Sequence, residues 1–179
     1  AIVELQPLRV LAIVGDEPMD LLEVPDTVAI SPDGSVAAVG RMHDVALVSA
    51  SSGRQLRRTT LPAGDSMLTG AWVDENTLAV GGRKGTLNVL DASDLSPVVR
   101  PRLVAAGWIT DLAISPDGRL AASADTEGQL RFYDTASWRP VGKAVLKRDG
   151  WGWLSFDPAS HLLRGIFDTG GQVEVTTST

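Results

Sequence analysis

Apolar residues recur along this chain in short runs with period-2 alternation, separated by turns built from Pro, Gly, Asp and Ser. Four stretches share one shape, an apolar run, a tight turn and a second apolar run. They are Val28-Ala-Ile-Ser-Pro-Asp-Gly34, Gly70-Ala-Trp-Val-Asp-Glu-Asn76, Leu112-Ala-Ile-Ser-Pro-Asp-Gly118 and Leu154-Ser-Phe-Asp-Pro-Ala-Ser160. The last large apolar residue before each turn is Ile30, Trp72, Ile114 or Phe156, and these lie 42 residues apart throughout. A second anchor follows each turn at Val45, Leu87, Leu130 and Val173, with spacings of 42, 43 and 43. Alternation of this kind is the signature of half-buried strands. Pro presets φ and Gly supplies positive φ at the turns between them.

Each unit reads as four short strands, here called a to d. In the third unit strand a is expected at 109–115, b at 119–124, c at 129–133 and d at 140–146. Four strands repeating every 40–45 residues is the spacing of a propeller blade. The expected fold is therefore all-β, a β-propeller of four-stranded antiparallel blades with about four blades present. The units fall near 20–61, 62–103, 104–146 and 147–179 of one domain, 1–179, and a c-type strand at 2–5 and a d-type strand at 8–14 belong to a preceding blade. The segment is expected not to close by itself. It would complete its ring with other blades of a longer or cleaved chain or, as the less favoured route, pair with a second copy.

Leu112-Ala-Ile-Ser-Pro-Asp-Gly-Arg-Leu-Ala-Ala-Ser-Ala-Asp125, followed by Gly128-Gln-Leu-Arg-Phe-Tyr-Asp134, resembles the repeat of bacterial WD-repeat propellers. Asp91 and Asp134 stand where that family has the Asp of its Trp-Asp pair, with Leu90 and Tyr133 in place of the Trp; Ser49 and Thr177 occupy the Asp position of the outer units. The Gly-His pair of strong repeats is absent, so the family's Asp-His-Ser-Trp hydrogen-bond network is incomplete here. The resemblance implies a ring of about seven or eight blades. It also implies a scaffold or sensor role in a larger bacterial signalling or regulatory protein.

The formal net charge of −6 argues against nucleic acid or an anionic membrane as the main partner. The chain has no Cys, which removes disulfides and thiolate metal sites, and its two His, His43 and His161, lack metal-ligand spacing. No metal or other cofactor is expected. No apolar run approaches the length of a membrane-spanning helix, and a cytoplasmic setting is expected.

In the geometry of the resembling family, the loops before strand a and the b–c turns share the usual partner-binding face. The starts of the a strands carry Met67, Trp108, Trp151 and Trp153, and aromatic anchors are enriched in interaction hot spots. The alternative for each is a filler between blades. The b–c turns carry Arg41, Met42, His43 and Asp44, then Arg83 and Lys84, then Asp125 and Glu127, and finally Asp168. This is either a charge gradient around one rim or ordinary solvated turn chemistry. The candidate partner-binding set is Trp108, Trp151, Trp153, Met67, Arg41, His43, Arg83 and Lys84. No nucleophile elbow, phosphate loop or His cluster is present, and the single turn carboxylates Asp33, Asp117 and Asp157 lack the ligand density of a calcium loop. The expectation is a non-catalytic module that binds a protein, or other blades or domains of its own polypeptide, with possible self-association through open blade edges. The alternatives are an enzymatic propeller with polar side chains facing its channel, and a purely structural fragment.

Overall fold

A computed structural model describes residues 27–41, 43–145, 150, 152–159, 162–167 and 172–176. The strands expected at 2–5 and 8–14 lie outside the described residues, as do Met42, Trp151, His161 and Asp168.

Among the described residues fifteen strands form four antiparallel sheets, three of four strands and one of three. Blade 1 holds β1 (Thr27–Ile30), β2 (Val36–Arg41), β3 (Asp44–Ser49) and β4 (Gln55–Thr60); blade 2 holds β5 (Met67–Trp72), β6 (Thr77–Gly82), β7 (Thr86–Asp91) and β8 (Pro97–Leu103). Blade 3 holds β9 (Ile109–Ile114), β10 (Leu120–Asp125), β11 (Gln129–Asp134) and β12 (Pro140–Val145), within a residue of the expected strands. Blade 4 shows β13 (Gly152–Phe156), β14 (Leu162–Phe167) and β15 (Gln172–Thr176). Each sheet is a meander in sequence order, and the a strands β1, β5, β9 and β13 abut one another in chain order.

The repeating turn explains the constant period. Backbone bonds from the residue after each a strand close it at Ser31, Val73, Ser115 and Asp157, four positions 42 residues apart. In blades 1 and 3 the Ser-Pro-Asp-Gly sequence builds the same network twice. Ser31 Oγ donates to Asp33 Oδ1 at 2.6 Å, Val36 N donates to Ser31 Oγ at 2.9 Å, and Ser115, Asp117 and Leu120 repeat both bonds at the same distances. The Ser31 hydroxyl holds the Asp33 carboxyl down at about 2, well below the ordinary range. Blade 2 lacks this sequence, and its turn is one residue shorter, with Val73 N bonding Thr77 O rather than a carbonyl five residues on.

Both faces of a blade must be covered, and the core is three separate layers between the four blades. Between blades 1 and 2 lie Val45, Leu47, Met67, Trp72, Leu78 and Leu90; between blades 2 and 3 lie Leu87, Val89, Ile109, Leu112, Tyr133 and Trp138. Between blades 3 and 4 lie Ala122, Leu130, Phe132, Leu154, Phe156 and Leu163. Period-2 alternation does this directly, since Leu78 and Val80 face blade 1 while Ala79 faces blade 3.

The c–d turns add a plug to two of these layers. The homologous positions are Gly53, Leu95 and Trp138, all at positive φ (68°, 61° and 55°). A non-glycine residue there costs about 1–3 kcal/mol. Leu95 and Trp138 are nevertheless almost fully buried, each packed toward the preceding blade, and that burial offsets the strain.

Ile30, Trp72, Ile114 and Phe156 are indeed equivalent, each on the blade face turned toward the preceding blade. Burial does not follow equivalence. Trp72 and Phe156 are 8% exposed and Ile114 is half-buried, whereas Ile30 is 56% exposed because no described blade stands on that side of blade 1. Trp72→Ala and Phe156→Ala should each lower unfolding free energy by about 3–5 kcal/mol. Ile30→Ala should change it by less than about 0.5 kcal/mol at low protein concentration, a contrast that urea denaturation of the three variants measures.

Candidate functional site

The b–c turns and the loops leading into the a strands interlock along one rim. Gly85 O accepts bonds from Val104 N at 2.9 Å and Ala105 N at 3.1 Å, and His43 O accepts one from Leu61 N at 2.7 Å. His43 Nδ1 lies 3.3 Å from Asp65 O, and Arg83 N donates to Ser66 O at 3.2 Å. Each turn is thus fixed by backbone bonds to a neighbouring loop, so side chains on the turns project from a rigid base.

Two of these turns solve the same electrostatic problem by exchanged residues. In blade 3 the turn carries its own carboxylate: Asp125 Oδ1 accepts from Glu127 N and Gln129 N, both at 3.0 Å, and Oδ2 accepts from Arg131 Nη1 at 2.5 Å. In blade 2 the equivalent turn position is Gly82, as the pairings Met67↔Gly82 and Ile109↔Asp125 establish. The carboxylate comes instead from Asp65 on the preceding loop, whose Oδ1 accepts from Ser66 N and from Lys84 N, both at 2.8 Å. Lys84 is the counterpart of Glu127, two residues past the exchanged position. A Cβ on Gly82 would collide with the Asp65 carboxylate, and 42 residues after Asp65 stands Gly107, where a Cβ would collide with Thr126 Oγ1. Asp65 with Gly82 therefore replaces Gly107 with Asp125. The replacement is partial, because the position of Arg131 is taken by the shorter Asn88, 43 residues earlier. Asp65 Oδ2 and both polar side-chain atoms of Asn88 are buried without a hydrogen-bond partner among the described residues.

Trp108 is the exposed aromatic of this rim. The residue is 43% exposed, its N and O bond Thr126 at 3.1 and 3.0 Å, and the Arg83 guanidinium lies 5.4 Å from its ring centroid. That separation is within cation–π range. Arg83, Lys84 and His43 are exposed on the same rim, and Arg41 is half-buried at the end of β2. Trp151 lies outside the described residues. Met67 does not belong to the surface: it is fully buried, closing over Gly40 and Gly70, so it is a core residue between blades 1 and 2. Trp153 is 56% exposed, but on strand β13 it alternates with Leu154, which packs on blade 3, and so faces the opposite flank of blade 4. Its start-of-strand position groups it with Trp108 in sequence; the parity of the strand separates them in space.

Asp111 is the one carboxylate on the described a strands. Asp111 is held by three donors from three blades: Thr69 Oγ1 at 3.1 Å and Leu112 N at 2.9 Å to Oδ1, and Leu154 N at 2.6 Å to Oδ2. Burial pushes its pKa up against the pull of these bonds. Both oxygens are engaged in tying blades 2, 3 and 4 together, which makes Asp111 a strut. Among the described residues no group of three or more His, Cys, Asp or Glu is placed to hold a metal ion.

No protein-family model matches the chain. Over 90% of its length it superposes on 53% of a chain in the crystal structure of a mitotic checkpoint complex, with a TM-score of 0.74 and 19% identity. Over 88% it superposes on 48% of BamB from Moraxella catarrhalis, with a TM-score of 0.68 and 22% identity. The fold is a β-propeller. The chain is also 26% identical over 128 residues to a 66 kDa stress protein of Physarum polycephalum. It spans 20% of that protein and about half of each structural match.

The exchanged carboxylate gives a double-mutant cycle. Asp65→Gly alone and Gly82→Asp alone should each cost about 1–3 kcal/mol, the first by stranding Lys84 N and the second by collision. The double variant, which installs the blade 3 arrangement in blade 2, should recover most of the loss. Thermal or urea unfolding of all four proteins reads the coupling, and simple additivity would show that the two positions do not exchange roles.

Proposed function

We propose that this chain is a non-catalytic stretch of a WD-repeat-like propeller that serves as a protein-interaction scaffold, with its binding surface on the rim centred on Arg83 and Trp108. The observation that carries the reading is the exposed indole with a guanidinium stacked on it. Trp and Arg are the residues most enriched in interaction hot spots, and a stacked pair loses little side-chain freedom on docking. Lys84 and His43 lie on the same rim, so the surface suits a partner that presents carboxylates. The engagement of Asp111 as a strut favours binding over channel chemistry. Fold alone does not assign function, and a place in a larger signalling or regulatory protein is inferred from the repeat sequence. Peptides selected from a random display library on the immobilised chain should be enriched in Asp and Glu, and Arg83→Ala with Trp108→Ala should weaken them by about tenfold or more. Undiminished binding to the double variant would remove the rim from the interface.

The same reading places further blades on both flanks. Val28 and Ile30 are 55% and 56% exposed on the outer face of blade 1, and Trp153 and Ile166 are each 56% exposed on the outer face of blade 4. In each case these are the faces that carry blade–blade packing elsewhere in the fold, and exposed apolar patches of this kind mark association surfaces. Sedimentation of the isolated chain should show concentration-dependent self-association that Trp153→Asp diminishes. A compact monomer at every concentration would show that the flanks need no cover.

A further inference from the structure

Between blades 2 and 3, outside the packed layer, the sheets splay apart and leave an open groove of about 480 Å³. This volume lies within the range of ligand-binding clefts. Its floor is apolar, formed by Val89 and Val99 of blade 2 and by Tyr133 and Trp138 of blade 3. Its rim is cationic: Arg100 and Arg102 come from β8, Arg131 from β11 and Lys143 from β12. Among the described residues no acidic side chain lines it, although the chain as a whole carries a net charge of −6.

The four cations are not equally committed. Arg131 is neutralised by Asp125, and Arg102 Nη1 donates to Trp138 O at 3.2 Å, which ties β8 to the plug residue of blade 3. Arg100 and Lys143 are exposed and pair with no carboxylate among the described residues. Leu103, the last residue of β8, is 75% exposed where it lines the same groove. Apolar surface and exposed positive charge are thus held side by side, facing one another across two outer strands. Nothing in the folding of the blades requires this, since the layer beneath is already closed by Trp138.

We infer that this groove is a second docking site, for an extended peptide segment in which aliphatic and acidic residues alternate. In an extended chain alternate side chains point to opposite sides. Aliphatic side chains would enter the groove over Val99 and Tyr133, and carboxylates on the other side would meet Arg100 and Lys143. Charge complementarity selects this occupant: a basic or neutral amphipathic segment fits the floor but not the rim. The site is separate from the Arg83–Trp108 rim and does not depend on it.

The test uses the whole chain and two short fluorescein-labelled peptides, one with leucine and aspartate at alternating positions and one with lysine replacing each aspartate. Anisotropy titration should show saturable binding of the aspartate peptide, weakened by added salt because the contributing charges are exposed, and little binding of the lysine peptide. Arg100→Glu with Lys143→Glu should weaken the aspartate peptide by about tenfold or more and strengthen the lysine peptide. Both substituted residues are exposed, so the fold is expected to survive. The independent variant Leu103→Ser tests the apolar component and should also weaken binding, while Trp108→Ala should leave it within about twofold. The proposal is overturned if the aspartate peptide does not bind saturably, if charge reversal leaves its affinity unchanged, or if Trp108→Ala weakens it as much as the groove variant does. Intact groove binding together with rim-peptide binding that Arg83→Ala and Trp108→Ala leave undiminished would count against the rim reading alone.

Discussion

The organisation of this protein depends on one constraint: a four-stranded blade is apolar on both faces, and neither face can be left to water. Each blade covers one face of the next, and three intersheet layers take the place of a single core. Repeat architectures share this property, in which stability is carried by nearest-neighbour interfaces. The direct inter-blade bonds follow the same logic. Trp72 Nε1 reaches Ala29 O at 3.1 Å, and the carboxylate of Asp111 joins three consecutive blades. The exposed faces at either end of the described array are the same constraint seen where no described neighbour supplies cover.

Divergence within the array shows which features the blade needs and which it can trade. In blades 2 and 3 the b–c turn has a carboxylate oxygen over its backbone donors, supplied from the turn itself in blade 3 and from the preceding loop in blade 2. The c–d turn needs positive φ, and Gly53, Leu95 and Trp138 all adopt it. In the last two, a large side chain offsets the backbone strain by plugging the wedge between blades. The groove outside Trp138 is the part of that wedge left unfilled.

Electrostatics is correspondingly local. A chain with an acidic balance still places exposed cations together at the Arg83–Lys84 turn and along the groove between β8 and β12. Several of its carboxylates are tied into turns or ladders. The Thr60 hydroxyl, followed by Arg58, holds the Asp44 carboxyl below its ordinary range, and the Ser137 hydroxyl does the same for Asp134. Net charge therefore describes solubility and long-range attraction here, and says little about either candidate binding surface.

The strands, their antiparallel pairing and the 42-residue register were legible in the sequence, because period-2 alternation and Pro/Gly turn chemistry are local properties that each unit repeats. Side-chain exposure was not. Met67, Trp108 and Trp153 share a start-of-strand position, yet one is buried against Gly40 and Gly70, one projects from the rim, and one faces the flank of its blade. Strand parity, a bulge between Met67 and Thr69, and the presence or absence of a neighbouring blade decide among these outcomes. Ile30, at the position equivalent to Trp72, is exposed because no described blade stands across from it. The Asp65–Gly82 exchange pairs a loop and a turn of one unit, whereas the three-blade role of Asp111 and the groove beneath Arg100 and Lys143 join residues from different units. The last two arise where separate sheets meet, and tertiary packing alone brings those residues within reach of one another.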